Sequence, residues 1–467
     1  KKLKEEFFKD ELAYLVKDFD EEDFAKLIRG GHDPVKIYNA YKKAAENKEG
    51  PTVILAHTVK GFQQGKAGEA SNVTHQTKKL NLDQLKAFRD VMEMDFTDDE
   101  LENIPFYRFE ENSEEYQYIK EKRDKLGGWL PMRKTMARDF KTPDEKGFRE
   151  FYSGSNGKEV PTTGVLVKIL TNLLKDKNVK DIIVPIVPDE SRTLGMDSLF
   201  RNYGIYAWDG QKYEPVDKDS LLYYNESQKG LILEEGITEA GSMASFIAAG
   251  THHTTNPRYC IPFYIYYSMF GFQRVADLIW AASDARTKGF LIGGISGRTS
   301  LSGEGLQHTD GQSHLFAMAF PNVMAYDPAF AFEVSLIVKD GIKRMYADDE
   351  DLIYYITVSN QTYEMPKMPN DVEEGVLKGL YRFSKSRKRK NKDKKVNLLG
   401  TGAIMQEVLK ASEILEEMDI PVDVWSVTSY KALYDDARDT ERKNLLNNTD
   451  EACFLQEQLK DEGDLFV

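Results

Sequence analysis

The chain has 467 residues, 41% of them apolar, and a formal net charge of -14, so it is long enough for two or three domains, because a single core stops growing well before this length. The negative balance excludes nucleic acid as a general partner, since phosphate binding needs a positive field, and no run of about 18 apolar residues offers a membrane span. No secretory leader is read at the start, and Cys260 and Cys453 lie in different regions, which fits a reducing cytoplasm better than a disulfide framework.

Residues 1 to 48 read as charged helices interrupted at RGGHDP (29–34), where two glycines and a proline mark a turn and a helix start. PTVILA (51–56) is short, apolar and β-branched and predicts a strand that delivers His57, Lys60 and Phe62 at its carboxyl end. From Gln63 to Gln76 glycine, alanine, serine and asparagine predict a mobile loop, with Gly65 and Gly68 as hinges and Glu69, His75 and Lys78 as its polar cargo. Residues 80 to 150 are charged, aromatic and partly helical, and connect two domains.

After Pro161 the positions Val165, Leu166, Ile169, Leu170, Leu173 and Leu174 keep a helical period, and DIIVPIV (181–187) reads as a strand with a proline inside it. That strand delivers Asp189 and Glu190, which either orient a ligand or cap the following helix. A second passage, residues 230 to 239, precedes a helix of small residues, 240 to 250. Glu239 at its start either satisfies the helix dipole or meets a ligand, and spacing alone does not choose. Residues 261 to 274 form an aromatic strand running into a helix. Most of its rings belong to the core, while Tyr267 and Phe270 near its end are placed to stack on a planar heterocycle.

The run GFLIGG (289–294) predicts a buried strand, and beyond it GEGLQHTDGQSH (303–314) is the stretch richest in chemistry. Its three glycines oppose a helix, while two acids, two imidazoles, two carboxamides and two hydroxyls crowd onto a backbone free to approach a ligand. A zinc set of Glu304, His308 and His314 is one alternative, opposed by the glycines and by the lack of a nearby cysteine, and a solvated loop is another; a ligand site is the favoured reading. Strand, helix and strand then alternate over 322–326, 331–346 and 352–358, which predicts a mainly parallel sheet. The basic run KSRKRKNKDKK (385–395) reads as a solvated linker rather than a nucleic-acid patch. VNLLGTG (396–402), a helix through Glu417 and VDVWSV (422–427) form a further βαβ unit, whose single GTG lacks a full dinucleotide fingerprint.

With RGGHDP, ILAHTVKG (54–61), YIYYSMFGFQR (264–274), GFLIGG and the 303–314 loop together, the chain closely resembles the homodimeric, bacterial type of pyruvate dehydrogenase first component, within the transketolase-like superfamily. The resemblance runs through nearly the whole chain. It implies an α/β, transketolase-like thiamine-diphosphate-binding fold of several domains, with mainly parallel sheets flanked by helices. Residues 1–140 correspond to the C-terminal part of a diphosphate-binding domain plus connector, 141–375 to a pyrimidine-binding domain, 376–395 to the basic linker, and 396–467 to the start of a transketolase C-terminal-like domain.

By the same resemblance, Glu239 contacts the pyrimidine ring nitrogen of thiamine diphosphate and shares a proton with it, and Phe270 stacks on that ring. Tyr267, Asp189, Glu190, Glu304 and His308 form the remaining wall, with His308 steadying the substrate carboxylate or an oxygen of the intermediate. His75, with Lys60 and Lys78 nearby, is tied to acetyl transfer onto the lipoyl group of a dihydrolipoyl acetyltransferase, under a loop that closes over the site. The implied activity is oxidative decarboxylation of pyruvate by a cytoplasmic homodimer using thiamine diphosphate and Mg²⁺. One departure stands against it: the GDG…N motif that holds Mg²⁺ is absent, so the metal ligands are expected upstream of Lys1 and none is assigned here. Both ends read as cut, and the chain is expected to be a fragment that does not turn over by itself. The rival readings are a truncated non-catalytic dimerisation or docking subunit, another 2-oxo acid dehydrogenase, and a transketolase-like enzyme.

Overall fold

The computed structural model describes residues 3–27, 30–129, 139–189, 195–216, 224–294, 305–386, 388, 395–463 and 465–467. The chain divides into two compact units, Lys1–Pro131 and Met132–Val467.

In the first unit all described regular elements are helical: α1 (Glu21–Lys26), α2 (Pro34–Glu46), α3 (Leu82–Val91) and α4 (Glu114–Lys125), with shorter turns between them. The turn read from RGGHDP is a helix start, since Asp33 accepts from the backbone N–H of Val35 and Lys36 at 3.0 Å each and Pro34 opens α2. The strand expected at 51–56 does not form. Val53 and Leu55 are 81% and 92% exposed, and the described part of this unit holds no strand to accept the backbone hydrogen bonds a strand must make. The segment after it instead folds onto the 30–34 turn. His57 carbonyl oxygen lies where a side chain on Gly31 would sit, Val59 N–H donates to His32 Nε2 at 2.6 Å, and the rings of His32 and Phe62 stack at 3.8 Å.

The second unit is built on six parallel strands: β1 (Ile183–Val187), β2 (Leu233–Glu234), β3 (Ile261–Tyr267), β4 (Gly289–Gly294), β5 (Val323–Tyr326) and β6 (Ile353–Val358), in the order β2-β1-β3-β4-β6-β5. Helices α5 (Thr162–Leu173), α6 (Glu239–Gly250), α7 (Phe272–Asp284), α8 (Ser313–Ala317) and α9 (Ala331–Ile342) accompany these strands. The period of two along β3 assigns its side chains to two cores. Ile261, Phe263 and Ile265 join the cluster that holds Val165 and Leu166 of α5 and Val334 of α9, whereas Tyr264 and Tyr266 join Met243 and Phe246 of α6 and Phe272 and Ile279 of α7. Pro185 is tolerated in β1 because β2 pairs with that strand only from Ile186 onward, so the missing N–H falls where one neighbour is absent.

Within the segment expected to be a linker, Leu380–Ser384 form a strand, β7, after a left-handed Gly379. It pairs antiparallel with β9 (Val422–Val427), which also pairs in parallel with β8 (Val396–Gly400), so the small sheet runs β7-β9-β8. The apolar residues at 380–383 place this segment in a sheet despite the basic run that follows it. Helices α10 (Met405–Glu417), α11 (Tyr430–Asn447) and the short α12 (Phe454–Leu459) accompany this sheet. The buried carboxylate of Glu333 ties α9 to the small sheet, accepting from Tyr381 Oη at 2.6 Å and Ser426 Oγ at 2.7 Å.

Candidate active site

The parallel sheet sends the carboxyl ends of β2, β3 and β4 toward one edge, the edge at which open α/β sheets expose ligand groups. Glu239 is the first residue of α6, which follows β2. Thr238 caps that helix by accepting from Gly241 N–H at 3.3 Å, and Glu239 itself is only 7% exposed. Its carboxylate oxygen Oε1 accepts from Arg274 Nη1 at 2.7 Å. A buried carboxylate needs such a partner, because an unpaired charge is costly away from water.

Arg274 comes from α7, immediately after β3, and its guanidinium carbon stands 3.9 Å from the centre of the Phe270 ring. Phe270 is edge-on to Tyr267 at 6.0 Å, and both rings meet His308, Tyr267 at 4.6 Å and Phe270 at 5.4 Å. Four residues picked from the sequence, Glu239, Tyr267, Phe270 and His308, are therefore brought together, linked by Arg274, which was not singled out. The Nδ1 atom of His308 is buried without a protein hydrogen-bond partner among the described residues.

Behind these rings the 305–314 loop is held by Asp310, which is 3% exposed and accepts from the backbone N–H of Gln312 and Ser313, from Ser313 Oγ, and from Gln273 Nε2 of α7. Further back, His314 Nε2 lies 2.9 Å from Thr357 Oγ1. The Thr357 hydroxyl donates to Asp327 Oδ1 at 2.6 Å, so the imidazole is the donor to Thr357. Burial pushes the His314 imidazole below the usual histidine value, against the pull of the Asp327 and Asp310 charges. Asp327 Oδ2 in turn accepts from Thr401 Oγ1 at 3.2 Å, which ties this edge to the GTG turn after β8.

Asp189 is exposed just after β1. Lys60 and His75 belong to the first unit, both exposed, with His75 closing the short turn Asn72–His75. Glu190 and Glu304 lie outside the described residues, and so does the zinc alternative that needed Glu304. Arg274 and Gln273 carried no signal in the sequence, because each reaches a partner about 35 residues away. Asp310 carried one, an Asp two and three residues ahead of the helix-opening Gln312 and Ser313.

This fold is the transketolase-like class. A transketolase from Campylobacter jejuni superposes with a TM-score of 0.59 over 93% of this chain and 58% of its own, at 18% identity, and a Pichia stipitis transketolase with 0.60 over 99% and 62%, at 15% identity. Residues 139–366 match the pyruvate dehydrogenase E1 component middle domain, and residues 379–463 the transketolase-like C-terminal domain. The pyruvate dehydrogenase E1 component of Cupriavidus necator is 48% identical over 451 residues, 96% of this chain and 50% of that protein. That of Escherichia coli K12 is 48% identical over 440 residues, 94% and 49% respectively. The chain belongs to the pyruvate dehydrogenase E1 component family, and it spans about half the length of the curated relatives it matches.

Proposed function

We propose that this chain supplies the pyrimidine-binding half of a thiamine-diphosphate site in an enzyme that decarboxylates pyruvate and passes the acetyl unit to the lipoyl group of a dihydrolipoyl acetyltransferase. The observation that carries this reading is the buried Glu239 carboxylate beside the Tyr267, Phe270 and His308 rings at the carboxyl edge of the sheet. These residues suit an aminopyrimidine, which offers a flat face to aromatic walls and a ring nitrogen to a carboxylate. When bound, thiamine diphosphate supplies a nucleophilic carbon and an electron sink for the loss of carbon dioxide.

The chain's own residues control protons and position. Arg274 keeps Glu239 oriented through Oε1, and we assign Oε2 to the pyrimidine nitrogen. Phe270 and Tyr267 are assigned to the ring, Asp189, Glu190 and Glu304 to the rest of the site, and His308 to donation to the substrate carboxylate or to the oxygen derived from its keto group. His75 and Lys60 are assigned to acetyl transfer. Among the described residues no group of three or more His, Cys, Asp or Glu is placed to hold a metal ion, so no Mg²⁺ ligand is assigned. Residues 1–140, 141–375 and 396–467 are assigned to the diphosphate, pyrimidine and C-terminal domains of a cytoplasmic homodimer.

Titration of the protein with thiamine diphosphate and Mg²⁺, followed by near-ultraviolet circular dichroism, tests the site. Carbon dioxide release from pyruvate compared with 2-oxoglutarate tests the substrate. In the whole enzyme, binding with release from pyruvate is expected, and preference for 2-oxoglutarate or for a ketose donor would replace this reading with one of its relatives.

A further inference from the structure

Asp310 is buried, yet the four hydrogen-bond donors it meets among the described residues are all neutral: the N–H of Gln312 at 3.0 Å and of Ser313 at 3.1 Å, the hydroxyl of Ser313 at 2.5 Å, and the carboxamide of Gln273 at 3.0 Å. Burying a carboxylate costs free energy that neutral donors only partly offset. Leu or Met would fill the space more stably if space were all that mattered. The donors divide into two sets. Three belong to the start of α8 and fix the loop that carries His308 two residues earlier, while the fourth belongs to α7, next to Arg274 and three residues after Phe270.

The Gln273 carboxamide shows the same bias. Its Oε1 is buried with no protein partner among the described residues, so the side chain keeps its nitrogen on Asp310 and leaves its oxygen unmatched. An unmatched buried carbonyl is destabilising. The fold accepts it at a hydrogen bond between the 305–314 loop and the helix that begins at Phe272.

We propose that Asp310 is a positioning residue that sets the separation between His308 and the Tyr267–Phe270–Arg274 group. Through Gln273 it fixes α7, and through Gln312 and Ser313 it fixes the loop, so the imidazole and the ring-facing carboxylate of Glu239 keep one spacing. Its consequence for turnover rests on the roles of Glu239 and His308 proposed above; the positional part does not.

The test uses Asp310→Ala, Asp310→Asn and Gln273→Met in the full-length protein. Asn keeps an acceptor for Gln273 and for the loop N–H groups, and it donates to Ser313 Oγ, which also accepts. The readout is the Hε1 resonance of His308, assigned with His308→Gln, because two rings at 4.6 and 5.4 Å displace it by ring currents. It is recorded well below each variant's unfolding midpoint. In Asp310→Ala and Gln273→Met the resonance is expected to lose its ring-current displacement while Asp310→Asn retains it. Turnover of pyruvate follows, with kcat down by about 10²-fold in the first two at little change in KM, as for a displaced catalytic group. A resonance that keeps its wild-type position in folded Gln273→Met, or an Asn variant that fails like Ala, overturns the proposal. If the wild-type protein releases no carbon dioxide from pyruvate, the functional reading fails and the resonance still decides the positional one.

Discussion

Arg274 holds Glu239 through a 2.7 Å hydrogen-bonded ion pair while its guanidinium lies 3.9 Å above the centre of the Phe270 ring, so one side chain aligns both the carboxylate and the ring assigned to the pyrimidine. The pair is asymmetric in burial, with the glutamate side chain 9% and the arginine side chain 49% exposed. The arginine head therefore keeps much of its hydration, and the carboxylate gains a partner without both charges losing water.

Glu239→Gln removes the ionisable group and leaves the shape. Turnover of pyruvate by the active enzyme is expected to fall by about 10²- to 10⁴-fold, the range for a lost proton-transfer group, with the unfolding midpoint near that of the wild type. Arg274→Lys retains a charge but not the planar cover of Phe270, so it should fall between wild type and Arg274→Ala. Steady-state carbon dioxide release beside thermal unfolding decides both; equal activity in Glu239→Gln and wild type would remove Glu239 from the chemistry.

Gly271 stands between Phe270 and α7, and a methyl group there would meet the Tyr266 ring at 2.2 Å. Tyr266 is 1% exposed in the core shared with α6 and α7 and has nowhere to retreat. Gly271→Ala is expected to destabilise the protein by about 1–3 kcal/mol, the usual cost of overpacking, and to displace Phe270. Denaturant unfolding measures the first effect and cofactor titration the second.

Glu333 is fully buried and accepts from Tyr381, Ser426 and the backbone N–H groups of Ala329 and Phe330. Glu333→Ala strips four donors of their acceptor where α9 meets the small sheet. We expect a loss of at least about 3 kcal/mol, since each stranded buried donor costs about 1–3 kcal/mol, partly relieved by water. Hydrogen exchange should show β7 and β9 opening before the six-stranded sheet; uniform protection would mean that the carboxylate does not couple them.

His253 is 1% exposed and His314 sits beside Thr357, and burial pushes both imidazoles below the usual 6.5. A depressed folded value means that the unfolded chain takes up these protons first. Their contribution to stability is present above pH 6.5 and is lost as pH falls through that value toward the folded ones. Glu333 acts in the opposite sense: burial raises its carboxyl above the usual 4.5, so its contribution is full below pH 4.5 and declines as pH rises through the folded value. Denaturant unfolding between pH 5 and 8 should show stability falling on the acid side, less steeply in His253→Gln. An unchanged slope in that variant would count against a neutral, buried His253.

Much of the second unit was legible in the chain. The apolar runs at 183–187, 261–267, 289–294, 323–326 and 353–358 became parallel strands, because each is too short for a buried helix and is apolar enough to be covered on both faces. Tyr267, Phe270 and His308 were each legible at or just beyond the end of a buried strand, and the family resemblance grouped them into one site. The strand expected at 51–56 was a local reading without a partner, and a strand has no stability without one. The 385–395 charges drew attention away from Leu380–Ser384, whose alternation is too short to stand out beside them.

By itself the sequence determined the family of this protein and much of its alternation of strand and helix, since these follow from local pattern and from long stretches shared with relatives. Only the tertiary structure decided that Arg274 pairs with Glu239, that Gln273 meets Asp310, and that Glu333 ties α9 to the small sheet. Those contacts span 35, 37 and up to 93 residues. Such distances are closed by packing and burial rather than by any local preference, so no window of the chain contains both partners.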